Sequence, residues 1–175
     1  EYPLRVGRAV SPSYGRIDNP FYTLGQVAIQ PINRTFEIPP IVHPLRATLG
    51  GQVELLGYDL SAETVAPGGE FTLTLYWRAL TEMETGYTVF THLVAPDGSM
   101  SGQRDNPPVN GAYPTTLWVA GEVIADTYTI SIRPDTLRGE HRLKVGMYIA
   151  ESGARLPVTG SSADAIFLQS ITVRE

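Results

Sequence analysis

The sequence predicts an all-β fold: a two-sheet antiparallel β-sandwich, in immunoglobulin-like or jelly-roll order, preceded by an extended proline-rich arm. Three observations predict it. From residue 45 onward apolar residues recur with a period close to two, which is typical of strands. Turn signals rich in glycine and proline separate these runs at short intervals. No window has a helical period of 3.6 residues over more than two turns.

Composition is compatible with this fold and excludes several classes of function. The chain has 175 residues, 42% of them hydrophobic, which suits one domain able to bury a core. A net charge of −5 argues against a nucleic-acid-binding protein, which normally carries a basic patch. No apolar run approaches the roughly 18 residues of a membrane span. The absence of cysteine excludes disulfides, thiolate zinc sites and cysteine nucleophiles.

Residues 1–44 form the predicted arm. They hold seven prolines, and proline removes a backbone donor and fixes φ, so this stretch cannot be long regular strand. The segment is also too apolar to remain a solvated linker. We therefore expect it to pack on the domain formed by residues 45–175, with one or two edge strands of its own.

The strands of the domain follow in order along the chain. Their predicted positions are residues 52–60, 71–78, 87–95, 123–132, 140–149 and 165–173. The alternation places the following residues in the core: Phe71, Leu73, Leu75, Trp77, Val89, Leu93, Ile130, Leu143, Val145 and Met147. Turns such as Pro96-Asp97-Gly98 punctuate the strands, because proline presets φ and glycine accepts positive φ.

The sequence has none of the motifs that carry common chemistry. It lacks His-x-His and His-Glu-x-x-His pairs, a Gly-x-Ser-x-Gly elbow and a phosphate-binding loop before a helix. We therefore expect no metal, no cofactor and no catalytic activity in this fragment.

Polar residues at apolar positions are the first candidates for a site. His92 lies in the middle of an apolar strand, where a core histidine with a hydrogen-bond partner is the favoured interpretation and a ligand-binding role the alternative. Asp126 interrupts the inward face of its strand. Since a buried, unpaired carboxylate is costly, we expect it to have a partner, with Arg104 or His92 as candidates.

Two loops supply the other candidates. Arg104 and Asp105 lie in the segment 103–108, predicted as a loop that either fixes itself by hydrogen bonds or binds a ligand. Tyr113 and Trp118 lie in the next loop. Trp118 either plugs the end of the sandwich, which we favour, or stacks on a sugar ring. We hypothesise that the polar cluster formed by these residues with His92 and Asp126 converges at one end of the sandwich.

Eight short segments, taken together, resemble a known family. They are GQVELLGYDL (51–60), LYWRA (75–79), VFTHLV (89–94) with Asp97-Gly98, QRD (103–105) with Pro107-Pro108, YPTT-x-W (113–118), GEVI-x-D (121–126), VG-x-Y (145–148) and RLPV (155–158). This set resembles the C-terminal soluble domain of bacterial membrane glycosyltransferases similar to dolichyl-phosphate-mannose protein mannosyltransferases. The resemblance covers about residues 45–160 and leaves the arm without a match.

The resemblance implies a non-catalytic accessory domain on the extracytoplasmic face of a bacterial membrane. Catalysis would reside in the membrane-embedded portion of the parent protein, and a glycan or protein acceptor would be the ligand of this domain. A start at Glu1 without a signal-peptide pattern favours a domain excised from a larger protein. The alternatives are a stand-alone carbohydrate-binding module and a cell-surface interaction domain.

Overall fold

The structure, a computed structural model, describes residues 33–174. Nine strands form within this range: β1 (His43–Leu49), β2 (Val53–Leu60), β3 (Thr64–Val65), β4 (Glu70–Ala79), β5 (Thr88–Val94), β6 (Met100–Asn106), β7 (Val123–Ser131), β8 (Gly139–Tyr148) and β9 (Ile166–Val173). Two single 3₁₀ turns, Val109–Gly111 and Thr115–Leu117, lie between β6 and β7. Residues 1–32, most of the predicted arm, lie outside the described range, so the division at residue 44 stays a prediction.

The strands form two sheets that pack face to face, and the predicted all-β sandwich is confirmed. One sheet has the order β1-β2-β4-β7, and the other has the order β3-β9-β8-β5-β6. All pairings are antiparallel except that of the two-residue strand β3 with β9. The last strand of each sheet, β7 and β6 respectively, lies at the same side of the sandwich, where Gly102 and Ile132 form an isolated bridge.

The core lies between the sheets, as the alternation predicts. All ten residues expected in the core are buried, with exposures of 0–2%. Trp77 and Trp118 are also buried, at 0% and 1%. The burial of Trp118 agrees with the plug interpretation and leaves almost none of its ring exposed for stacking on a sugar.

The prediction of a loop at 103–108 is wrong for its first four residues, since β6 continues to Asn106. Its sequence, MSGQRDN, has no apolar alternation. The physical reason is its position: β6 pairs only with β5 within its sheet, so its residues need not pack into the core. Periodicity detects strands with a buried face and misses a polar edge strand.

An extended strap, residues 34–42, precedes β1 and contacts the sandwich. The backbone N–H of Val123 donates to the carbonyl of Thr35 at 2.7 Å. The N–H of Val42 donates to Oδ1 of Asp59 at 2.7 Å. Hydrogen bonds at both ends thus hold the strap against the sheet that contains β7.

Candidate functional site

A polar groove runs between the edge strands β6 and β7. It has a volume of about 350 Å³ and is lined by Arg104, Asn106, Asn110, Thr127, Tyr128, Thr129 and Ser131. Its lower end is closed where Gly102 meets Ile132, and its upper end adjoins the 3₁₀ turn Val109–Gly111. We call this the β6–β7 groove.

Gly102 permits the close approach that closes the groove. A Cβ atom at this position would lie 2.7 Å from the backbone oxygen of Ser131, which is inside normal contact distance. Any other residue at 102 would therefore force β6 and β7 apart. Gly86, where an added Cβ meets nothing within 4 Å, carries no such constraint.

One wall of the groove carries planar polar groups from β6 and the following turn. The amide orientation of Asn106 is assigned from its hydrogen-bond partners. In this orientation its oxygen accepts from Nε and Nη2 of Arg104, each at 3.2 Å, and its nitrogen donates to the carbonyl of Asp105. In the same orientation the Asn106 oxygen also lies 2.6 Å from the side-chain amide of Asn110. Arg104 is also fixed through its backbone, since its carbonyl accepts from the Thr91 hydroxyl at 2.7 Å.

The other wall presents hydroxyl groups from β7. Thr127, Thr129 and Ser131 alternate along this strand and are exposed. The Thr127 hydroxyl is 3.0 Å from that of Thr74 on β4. Strand backbones hold these groups in fixed positions, which suits a binding surface better than a loop would.

Asp126 lies beneath the groove, fully buried on the inward face of β7. It accepts hydrogen bonds from the Tyr128 hydroxyl at 2.5 Å and from the Val109 N–H at 2.8 Å. The prediction that Arg104 or His92 would be the partner of Asp126 is wrong. The hydroxyl of Tyr128, two residues along the strand, and the backbone N–H of Val109 donate to it instead. Burial raises the pKa of Asp126, and these hydrogen bonds partly offset the rise.

The turn at the upper end of the groove is strained. Val109 and Asn110 have φ values of 53° and 56°, in the left-handed region that a β-branched residue rarely adopts. The bond from Val109 to Asp126 helps to hold this conformation. Strain of this kind persists where the surroundings enforce it and is concentrated at functional sites.

His92 and Asp105 lie elsewhere, on the outer face of the five-stranded sheet. Nε2 of His92 is 3.3 Å from Oδ1 of Asp105. Phe90 lies beside them, with the guanidinium of Arg155 4.4 Å from its ring centre. Burial lowers the pKa of His92, an effect that Asp105 opposes and Arg155 reinforces. His92 is thus partly covered on an outer face, whereas a core position was the favoured interpretation.

Tyr113 and Trp118 belong to a third group, built around the buried side chain of Glu122. Its carboxylate accepts from the Tyr113 hydroxyl at 2.7 Å and from Nη1 of Arg34 at 2.6 Å. Nε1 of Trp118 donates to the Tyr113 carbonyl at 3.0 Å. Burial and the hydrogen bond to Glu122 raise the pKa of Tyr113 to about 12. This arrangement braces the loop between β6 and β7.

The polar cluster is therefore distributed over several places. The structure pairs His92 with Asp105 and Trp118 with Tyr113, and it places Arg104 in the groove above Asp126. Sequence reasoning missed several groove residues and the pair formed by Arg34 and Glu122. The alternating hydroxyl residues of β7 could have indicated one wall of the groove, but an ordinary solvated strand face has the same sequence pattern. Nothing in the sequence links Arg34 to a residue 88 positions away.

A serine and a histidine that the sequence did not connect also meet. Oγ of Ser101 is 2.7 Å from Nδ1 of His141, and Nε2 of His141 is 2.9 Å from the carbonyl of Leu137. Both side chains are buried, at 3% and 1% exposure. The pair satisfies two buried polar groups and is closed to a substrate.

Within residues 33–174 no group of three histidine, cysteine, aspartate or glutamate side chains is arranged to hold a metal ion. The same range contains no helix with the length and hydropathy needed to cross a membrane.

No protein-family model and no curated protein matches the chain. Among solved structures, the chain is similar to the C-terminal domain of wzt, with a TM-score of 0.53 and 9% identity over 78% of this chain and 83% of that one. It is also similar to a Niemann-Pick type C2 protein from the Japanese carpenter ant (TM-score 0.45, 4% identity, covering 79% and 100%). A third similar structure is a CARDB domain from Pyrococcus furiosus, solved in complex with di-metal ions. Its TM-score is 0.39 and its sequence identity is 10%, over 82% of this chain and 100% of that one. At 9% identity the similarity to the wzt domain concerns the fold alone, and none of these matches is a mannosyltransferase.

Proposed function

We propose that this chain is a non-catalytic accessory domain that binds a glycan in the β6–β7 groove. The observation that carries the proposal is the lining of the groove, where a guanidinium, two amides and three hydroxyls converge on one surface. Sugar hydroxyls both donate and accept hydrogen bonds, and these groups offer both functions at fixed positions. The volume of about 350 Å³ lies in the range of small-ligand sites.

The groove also lacks the groups that hydrolysis of a glycan would need. Glycosidases place two carboxylates on either side of the bond that breaks. Among the described residues that line the groove there is no carboxylate, and Asp126 beneath it is fully buried. This supports binding without catalysis.

The wider setting that we propose follows the sequence resemblance. The domain would be the extracytoplasmic tail of a bacterial membrane glycosyltransferase, and it would present a glycan or a protein acceptor to the membrane-embedded catalytic portion. A stand-alone carbohydrate-binding module would use the same groove. The parent gene separates the two: many apolar spans upstream of Glu1 support the tail, and a signal peptide directly upstream supports the module.

Glycan-array screening of the 175-residue chain, followed by calorimetric titration of the hits, tests the binding function. Ser131→Ala and Thr129→Val each remove one groove hydroxyl, and we expect each to weaken binding about fivefold, the cost of one net hydrogen bond. Ser170→Ala is the matched control, because Ser170 is also an exposed strand serine but lies on β9. Absence of any glycan ligand, or equal affinity of the groove variants and the control, would overturn the proposal.

An exposed apolar surface favours a second candidate, a protein-interaction domain. Phe36, Ile38 and Val42 on the strap are 56%, 48% and 71% exposed. Exposed apolar clusters mark association sites on soluble proteins. If copies associate through this surface, light scattering should give a mass that rises with concentration, and Phe36→Ser with Val42→Ser should remove that rise. A constant monomer mass would exclude self-association through the strap.

A further inference from the structure

Arg104 differs from most other arginines of the described range in having no acidic partner. Arg34, Arg78, Arg133 and Arg155 each lie within 3.3 Å of a carboxylate oxygen. Between residues 33 and 174 no carboxylate lies within ion-pair distance of the Arg104 guanidinium. Arg104 is exposed, so its charge faces the groove without a counterion among residues 33–174.

The guanidinium is nevertheless held in position. Its Nε and Nη2 face the Asn106 amide oxygen, each at 3.2 Å. A guanidinium has five N–H donors, so Nη1 and the second N–H of Nη2 remain available on the side away from Asn106. Two parallel donors of this kind match the two oxygens of a carboxylate.

The carboxylates of Asp105 on β6 and Asp126 on β7, the strands that form the groove, are occupied. Asp105, the next residue along β6, pairs with His92 on the outer face of the sheet. Asp126 is buried below the groove, where Tyr128 and Val109 donate to it. Neither one neutralises Arg104, and the remaining groove side chains are uncharged.

We propose that the β6–β7 groove selects an acidic saccharide, with one sugar carboxylate bound by Arg104 and the neighbouring sugar hydroxyls bound by the amides and hydroxyls of the walls. This inference rests on the proposed glycan-binding function and names its ligand class. A single cation among neutral groups fits a saccharide with at most one carboxylate per sugar, such as a uronic-acid oligosaccharide, of which one carboxylate enters the groove. It does not fit a polysulfated saccharide, which carries more than one charge per sugar and would need several cations.

The test compares matched ligands. Hexasaccharides of galacturonate, mannuronate and hyaluronan are titrated into the 175-residue chain, each beside its carboxyl-reduced neutral counterpart. We expect at least one acidic form to bind about tenfold more tightly than its neutral form, the difference that a charge-assisted hydrogen-bonded pair provides. That preference should decrease as sodium chloride is added.

Arg104→Gln should abolish the preference, because it should weaken acidic ligands about tenfold more than it weakens their neutral counterparts. Arg133→Gln is the matched control, because Arg133 is also exposed but pairs with Asp135 outside the groove. Equal binding of acidic and neutral forms, or equal weakening of both by Arg104→Gln, would overturn the acidic ligand and leave glycan binding standing. Failure of every saccharide, acidic or neutral, would overturn both proposals.

Discussion

Two buried carboxylates that accept hydrogen bonds from the loop between β6 and β7 are satisfied in different ways. Glu122, in the brace, is 1% exposed and forms an ion pair with Arg34 of the strap. Asp126, below the groove, is fully buried and accepts from the Tyr128 hydroxyl and a backbone N–H, with no cationic partner among the described residues. The first is compensated by a charge from a distant part of the chain, and the second is compensated by neutral donors nearby.

The two carboxylates differ in what they hold in place. A charge pair across 88 residues fixes the loop to the strap, which is a structural task. A carboxyl group without a cation positions a strained turn through the Val109 N–H and leaves Arg104 unneutralised above it. The brace fixes the loop to the strap, and in the groove the Arg104 guanidinium has no acidic partner among the described residues.

The largest expected effect comes from breaking the ion pair of the brace. Arg34→Ala leaves Glu122 buried without its counterion, so we expect a loss of about 3–5 kcal/mol in the free energy of unfolding. Denaturant unfolding measures it. Arg46→Ala is the control, because Arg46 is exposed and lies 3.9 Å from Glu54, a geometry that contributes about 0–1 kcal/mol. Similar losses in the two variants would contradict the special role of the brace.

The next largest loss of unfolding free energy is expected from a change in the apolar core beside Asp126. Leu75 on β4 lies directly opposite Asp126 on β7 and is fully buried. Leu75→Ala should cost about 2–5 kcal/mol through lost burial and the cavity that remains. A denaturant melt that shows almost no loss would mean that the core does not depend on this face of β4.

The smallest effect is a dependence on pH. Because the folded pKa of Asp126 is raised above the ordinary value of 3.8, the folded state holds its proton to a higher pH than the unfolded state does. The contribution of Asp126 to the free energy of unfolding is therefore fully present below pH 3.8 and is lost as pH rises through the folded pKa. Asp126→Asn should remove that decrease in the unfolding free energy measured between pH 3.5 and pH 7.

The control for this measurement is Asp135, whose contribution to stability depends on pH in the opposite direction. Hydrogen bonds from Arg133 lower the pKa of the exposed Asp135, so its contribution increases as pH rises. Asp135→Asn should therefore leave the decrease due to Asp126 in place. An unchanged pH profile in Asp126→Asn would show that this carboxyl is not the source.

Much of the fold could be predicted from the sequence because a strand with one buried face carries its own signal. The four alternating core residues of β4 are buried as expected. The polar edge strand β6 carried no such signal and was taken for a loop. Of the groove, Arg104 was identified as a candidate, but its walls come from strands far apart in sequence. Their meeting depends on how the two sheets pack, which leaves no local trace.

The sequence by itself determined the all-β class, the phase of the core strands and the inward position of Asp126, because side chains alternate across a strand with a period of two. Only the tertiary structure decided which polar residues meet. It gave Asp126 a tyrosine and a turn N–H in place of an arginine, and it gave Glu122 an arginine from the strap. The physical reason is that hydrogen bonds and ion pairs act over about 3 Å, so they depend on the packing of distant segments.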